Sequence, residues 1–377
     1  MANTAPLLSL VQAGTRVGRY ELLHRVGGGG YGSVWAAQDC GFGRSRRPVA
    51  VKLLHPWLRG NRDVCLAVID EARITGRIVH PNVVRIFDVG DHDLGAYLVM
   101  ELIDGTTLSD LHRRALKAGR RLPIGMLLGI LADACAGLHA AHEARDERGR
   151  PLLVVHRDVS PRNVLVTNAG AAKLIDFGNA KARGRLQSET VAGAVKGTLR
   201  YMAPEQALGG HVDRSTDVWG IGAVLHALLA GAGPYAGGTS AQLMKSLRTE
   251  VSNPPLDPSI PQALRRVLAR ALERDPRRRF PTAHALREAL LDAAATLRVE
   301  VASARALTET NPYEAYESDE RHENEALVQT STRDSGGTEE HSLSGPTAPF
   351  ATSRTNESNP TPFARPTQHL FIRHTSC

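Results

Sequence analysis

The sequence predicts an α+β chain in two lobes. A small β-rich lobe with one helix spans about residues 20–103, and a larger α-rich lobe spans about 104–295. Three observations predict this. Between Tyr20 and Met100, short β-branched and apolar runs are cut by glycine and proline clusters. After Gly105, apolar residues recur at helical spacing. From about residue 300, apolar residues become scarce and Ser, Thr, Asn, Glu and Pro take over.

Taken in order, residues 1–19 read as a loose leader. Strands are expected at Tyr20–Val26, Ser33–Gln38, Val49–Leu54, Val83–Val89 and Tyr97–Glu101, with one helix around Asn61–Ile78. This reads as a small antiparallel sheet. Helices are expected at Met126–Glu143, Val218–Leu229, Ala263–Leu272 and Ala283–Leu291. Between the first two lie strand-like pieces at Leu152–Val155, Val164–Thr167 and Ala172–Ile175. Such a β-then-α order places chemistry between the lobes. Residues 296–377 read as a disordered tail, because so few apolar groups cannot offset the entropy of ordering.

The bulk numbers fit a globular body. The 377 residues are 42% hydrophobic and 23% charged, and no apolar run is expected to reach membrane-spanning length. With no signal peptide read at Leu7–Val11, the expected location is the cytoplasm. Four dispersed cysteines form no metal or disulfide framework. Residues 301–377 hold 6 Lys and Arg against 11 Asp and Glu, so the remaining body is basic, with 40 against 28. No nucleic-acid recognition module accompanies that charge, and arginines such as those in Arg265–Arg279 fit solvated helices. Neither nucleic acid nor membrane is an expected partner.

Four motifs carry chemistry. Gly27-Gly28-Gly29-Gly30-Tyr31-Gly32-Ser33-Val34 contains G-x-G-x-x-G-x-V. Glycines let backbone N–H groups approach a triphosphate, and the strand that follows makes this a flap rather than a dinucleotide turn. Val49-Ala50-Val51-Lys52 follows on the next strand. A lysine among phosphates needs a counter-charge, and Glu71 stands 19 residues later on the expected helix. His156-Arg157-Asp158-Val159-Ser160-Pro161-Arg162-Asn163 matches H-R-D-x-x-x-x-N. Its aspartate is suited to accept a substrate hydroxyl proton, and its asparagine to ligate a metal. Asp176-Phe177-Gly178 comes 13 residues after Asn163 and offers a hard oxygen to Mg²⁺.

These motifs, in this order over roughly residues 20–295, resemble the eukaryotic-type (Hanks-type) serine/threonine protein kinases, in their bacterial branch. The resemblance implies a two-lobed protein-kinase-like fold with ATP and Mg²⁺ between the lobes and protein substrates. It implies that Val34, Ala50, Met100, Glu101 and Ile103 surround adenine, with Met100 at the back and Glu101 to Ile103 as the hinge. It implies that Thr198 of Gly197-Thr198 contacts Asp158, that Glu205 pairs with Arg279, and that Asp217 braces the catalytic loop. Arg157 resembles the arginine that answers to a phosphate on the activation segment, for which Thr190 and then Ser188 are the candidates.

Two alternatives stand beside this reading. A pseudokinase scaffold would bind ATP or partners without transfer, yet Lys52, Asp158, Asn163 and Asp176 are all present. A small-molecule kinase would usually lack Gly-Thr before Ala-Pro-Glu. The tail threonines, including Thr332, Thr347, Thr352 and Thr361, offer sites for phosphothreonine-binding partners or form an inert linker.

One position departs from the family. Ser160 stands where serine/threonine kinases usually carry lysine, which costs positive charge at the transferred phosphate. Arg162, four residues after Asp158, is positioned to supply it. Arg162→Ala is therefore expected to cut turnover sharply while nucleotide affinity, measured by titration, stays nearly unchanged.

Overall fold

The computed structural model describes residues 11–29, 32–41, 47–54, 69, 72–177, 199–235, 239–249 and 256–301. The β lobe is one antiparallel sheet of β1 (Arg16–Val17), β2 (Tyr20–Gly29), β3 (Gly32–Asp39), β4 (Pro48–Leu54), β5 (Ile86–His92) and β6 (Gly95–Glu101). Its order is β1-β2-β3-β4-β6-β5. Alternation along β4 decides what each face does. Val49, Val51 and Leu53 join Val17, Tyr20, Leu22, Trp35, Ala37 and Val99 in one core. Ala50 instead belongs to a second apolar cluster with Val84 and Met100.

The sheet begins earlier than the sequence indicates. Arg16 and Val17 pair with Glu21 and Tyr20, and Val17 is fully buried, so two residues of the expected leader belong to the sheet and one of them to the core. β5 begins later than expected, because Val83 and Val84 leave the sheet. The Val84 N–H donates to the Leu174 carbonyl at 2.9 Å, and the Leu174 N–H donates to the Asn82 carbonyl at 2.9 Å. Those bonds stitch the segment before β5 to the α lobe. Of the expected helix at 61–78, helical geometry is described at 69 and 72–75, and it ends before Ile78, with a turn at 76–77; residues 61–68, 70 and 71 lie outside the described residues.

The α lobe opens with β7 (Gly105–Thr107), which joins β8 (Val164–Thr167) and β9 (Ala172–Leu174) in a small sheet. Its helices are α1 (Leu108–Lys117), α2 (Ile124–His142), α3 (Pro204–Leu208), α4 (Arg214–Ala230), α5 (Ser240–Thr249), α6 (Gln262–Ala271) and α7 (Ala283–Leu297). Thr107 caps α1 by accepting from the Asp110 N–H at 3.0 Å. Asp213 caps α4 through the Ser215 N–H at 2.8 Å, and Gly231 ends that helix at φ +78°. α1 and α5 escaped the sequence reading because both are short and largely polar.

α2 corrects an expectation about length. Its 19 residues are long and apolar enough to cross a membrane. Alanine and glycine dilute the run and hide it from inspection. The structure buries 72% of that stretch inside the domain, where it meets α7, α4 and β9 as the central helix. At Gly125 a side chain would collide with the Glu300 carbonyl, so the chain after α7 lies directly on the start of α2.

Leu152–Val155, expected as a strand, forms none. Leu152 N–H closes a loop onto the Ala144 carbonyl at 2.8 Å, and Leu153 takes φ +50°, outside strand geometry. α7 runs past its expected end at Leu291 because Ala293 and Ala294 remain buried.

A buried ion pair ties the segment after the cleft to the far end of the lobe. Arg279 Nη1 and Nη2 donate to Glu205 Oε1 and Oε2, each at 2.8 Å. The guanidinium also donates to the carbonyls of Ser215 and Glu273, and lies over the Trp219 ring at 4.9 Å. Arg279 is 2% exposed and Glu205 8%. Removing one partner strands a buried charge. Arg279→Met is expected to cost about 3–5 kcal/mol in equilibrium denaturation, and the further change Glu205→Gln is expected to recover part of it.

Candidate active site

The catalytic loop is held from beneath by one carboxylate. Asp217, in the first turn of α4, is buried and accepts three hydrogen bonds of 2.8 Å. They come from the backbone N–H of His156, the backbone N–H of Arg157, and His142 Nε2. Arg157 takes φ +66°, a region costly for a side-chain-bearing residue. Both its backbone groups are fixed: its N–H by Asp217, and its carbonyl by Gln206 Nε2 at 2.8 Å. That strain turns the chain so that Asp158 follows in place. Burial pushes the Asp217 carboxyl up, but the hydrogen bond and charge of His142, with His156, hold it below its ordinary range.

Asp158 and Asn163 form a unit. Asn163 Nδ2 donates to the Asp158 carbonyl at 2.8 Å and to Asp158 Oδ2 at 2.9 Å. This orientation leaves the Asn163 amide oxygen as its acceptor. The Ile175 N–H donates to the Asn163 carbonyl at 3.0 Å, which brings β9 and Asp176 alongside. Asp176 takes φ +61° and meets Lys52, its Oδ1 lying 2.5 Å from Nζ. Phe177 rests against His156, with ring centroids 4.5 Å apart, and His156 Nε2 bonds the Ile175 carbonyl at 3.0 Å. Lys52, Asp158, Asn163 and Asp176 thus converge from β4, the loop before β8, and the residues after β9.

The phosphate flap and adenine wall follow the sheet. β2 and β3 stay paired to the tip: Gly27 with Val34, Gly28 with Ser33, Gly29 with Gly32. A side chain at Gly32 would collide with the Leu53 carbonyl, whereas Gly27 faces open space. The first glycine is therefore not demanded by protein packing, and it leaves the room a phosphate requires. Val34, Ile103 and Leu165 pack against the cluster of Ala50, Val84 and Met100. Glu101 donates its backbone N–H to the Arg85 carbonyl at 2.9 Å, and its carboxylate pairs with Lys173 at 3.0 Å. An adenine contact at Glu101 falls to its carbonyl. Behind Met100, a cavity of about 50 Å³ extends between Lys52, Thr75, Leu98 and Phe177. The buried Thr75 hydroxyl has no hydrogen-bond partner among the described residues.

Arg162 lies exposed on the short turn Pro161–Asn163, and Ser160 beside it is buried. Gly30, Glu71, Thr198, Ser188, Thr190 and the tail threonines lie outside the described residues. Sequence reasoning missed His142, Gln206 and Lys173. The loop over 143–153 separates His142 from the catalytic motif, and Lys173 acts only across the lobes. Gln206 carried a weak signal, directly after Ala-Pro-Glu.

The fold and the site define a phosphotransferase cleft, with a glycine flap and lysine above and an aspartate–asparagine loop below. Residues 20–291 match the family described as protein kinase domain, and the chain belongs to that family. It is 38% identical over 275 residues to tyrosine-protein kinase MasK of Myxococcus xanthus, covering 72% of this chain and 42% of that protein. It is 34% identical to serine/threonine-protein kinase PknB of Mycobacterium leprae, covering 72% and 42%. To serine/threonine-protein kinase PrkC of Bacillus subtilis it is 33% identical, covering 71% and 39%. The chain thus spans less than half the length of these three relatives. The kinase domain of Mycobacterium tuberculosis PknI superposes with a TM-score of 0.59 at 25% identity, over 75% of this chain and 99% of that one. The family implies ATP as substrate, typically with Mg²⁺, and proteins as acceptors.

The Asp217 arrangement carries a pH dependence. A carboxyl whose pKa is depressed by folding contributes stability above its ordinary value, 3.8 here, and loses it as pH falls through the folded value. Asp217→Asn is expected to destabilise by about 2–3 kcal/mol at neutral pH. The gap to the parent protein should narrow as denaturation is repeated below pH 3.8.

Proposed function

We propose that this chain is an active serine/threonine protein kinase that transfers the γ-phosphate of ATP to protein hydroxyls. The observation that carries the reading is the Asp158–Asn163 pair, locked onto Asp217 and set beside the Lys52–Asp176 ion pair. Asp158 acts as the base that accepts the acceptor hydroxyl's hydrogen bond and orients its oxygen. The Asn163 amide oxygen and the Asp176 carboxylate are hard donors suited to hold Mg²⁺, which when bound neutralises phosphate charge. Lys52 places a cation beside them on the cleft face of β4. Gly27, Gly28, Gly29 and Gly32 give backbone access to phosphates, and Val34, Ala50, Met100 and Ile103 give adenine an apolar slot. The roles of Gly30, Glu71 and Thr198 rest on the resemblance to the family.

Arg157 supports control by phosphorylation. Its guanidinium is half-buried and has no carboxylate partner among the described residues, which suits a phosphate on Thr190 or Ser188. Phosphorylated tail threonines are proposed as docking sites for phosphothreonine readers.

A second reading concerns the acceptor. Ser160 in place of lysine, with Arg162 after it, fits a tyrosine acceptor, and one relative is named a tyrosine-protein kinase. Gly197-Thr198 and the other relatives favour serine and threonine. A scaffold role finds no support in a site that keeps Lys52, Asp158, Asn163 and Asp176.

The test incubates the full chain with γ-labelled ATP and Mg²⁺ beside Asp158→Asn, followed by phosphoamino-acid analysis. Phosphoserine or phosphothreonine that falls by about 10²-fold or more in the variant is the expected result. Phosphotyrosine would favour the second reading. Bound nucleotide without labelling would favour the scaffold.

A further inference from the structure

Among the described residues, exposed charge on the acceptor side of the cleft is one-sided. Two segments border Asp158: the catalytic loop to Asn163, and the stretch from Leu199 to Gln206 ahead of and into α3. Together they carry Arg157, Asp158, Arg162, Arg200 and Glu205. Glu205 is consumed by Arg279 inside the lobe. Asp158 is buried and belongs to the reaction. The exposed charges that remain are Arg162 and Arg200, both cationic. Neither guanidinium has a hydrogen bond or ion pair among the described residues.

The two arginines belong to one surface. Gln206 Nε2 fastens the second segment to the Arg157 carbonyl at 2.8 Å, and Gln206 Oε1 accepts from the Ala203 N–H at 3.1 Å. Arg200 sits one residue before Tyr201, on a turn whose Leu199 is buried. Burial pushes the Tyr201 hydroxyl up in pKa, while Arg200 and Arg162 both pull it down, so both cations act on the same phenol. Further along, the exposed Arg248 of α5 donates to the Ala207 carbonyl at 3.3 Å and extends the same sign of charge. The first exposed carboxylate after Gln206 is Asp213, which is occupied in capping α4.

Two guanidinium groups on one surface, without a partner among the described residues, repel each other and any cationic peptide, and they offer paired forks to a carboxylate. We infer that the acceptor surface selects protein segments with acidic side chains next to the phosphorylated hydroxyl, and that Arg200, with Arg162, makes the selection. This rests on the kinase reading for the meaning of "phosphorylated", but the electrostatic preference itself does not require turnover.

The test uses the full chain and three fluorescent peptides of one frame, flanked by glutamate, glutamine or arginine, each made with an alanine and with a serine at the acceptor position. Binding of the alanine peptides reads the surface alone, by anisotropy. The parent protein is expected to bind the glutamate peptide about tenfold more tightly than the arginine peptide, with the gap shrinking as salt rises. Arg200→Glu is expected to abolish or invert that order, and Arg200→Gln to weaken it. Equal binding of all three peptides, a preference for arginine, or an order unmoved by Arg200→Glu would overturn the inference. Binding preference without phosphorylation of any serine peptide would uphold the surface and sink the kinase reading. Phosphorylation without preference would do the reverse.

Discussion

The buried carboxylate of Asp217 is the constraint on which the catalytic half of the molecule depends. An ionised group without water is tolerable only when its oxygens are fully engaged. Here the partners are the backbone of the catalytic loop itself, together with His142. The dependence runs both ways. α4 can be buried along almost its whole length only if its one carboxylate is satisfied, and the loop can hold Arg157 at a positive φ only if that carboxylate grips it. Strain at the site is thus met by the same bonds that make the core possible.

A second buried charge organises the acceptor side in the same manner. Glu205 and Arg279 lie 74 residues apart in sequence, yet their bidentate pairing fixes where α3 begins. From there Gln206 reaches the Arg157 carbonyl. The catalytic loop is therefore held by two anchors, one under its N–H groups and one on its carbonyl. Lys52 and Asp176 complete the arrangement from above, so that three separate parts of the chain must be in register before the cleft is competent.

Much of this was legible because it is local. Alternation along Val49–Leu54 places Lys52 opposite the core face, and the glycine run, the catalytic octapeptide and the Asp-Phe-Gly triplet are short enough to read directly. What escaped depends on tertiary partners. Val83 and Val84 look like strand by composition, but the Val83 N–H turns back to the His80 carbonyl and the Val84 N–H goes to the Leu174 carbonyl across the lobes. β1 has two residues, too few for a period. Leu152–Val155 has strand composition but sits where the chain must turn. His142 is cut off from His156 by a loop that composition cannot rank, and the membrane-length apolarity of α2 is spread over alanines and glycines.

The stitching of Asn82 and Val84 to Leu174 has a mechanical consequence. β9 ends one residue before Ile175 and two before Asp176, so the β lobe is clipped to the very strand that presents the carboxylate. Lys173, next on that strand, reaches back to Glu101 at the crossing between lobes. The two lobes are therefore not separate plates. They share a seam that ends two residues before Asp176, so the bonds that join the lobes and the chain that presents the ligand oxygen are one piece.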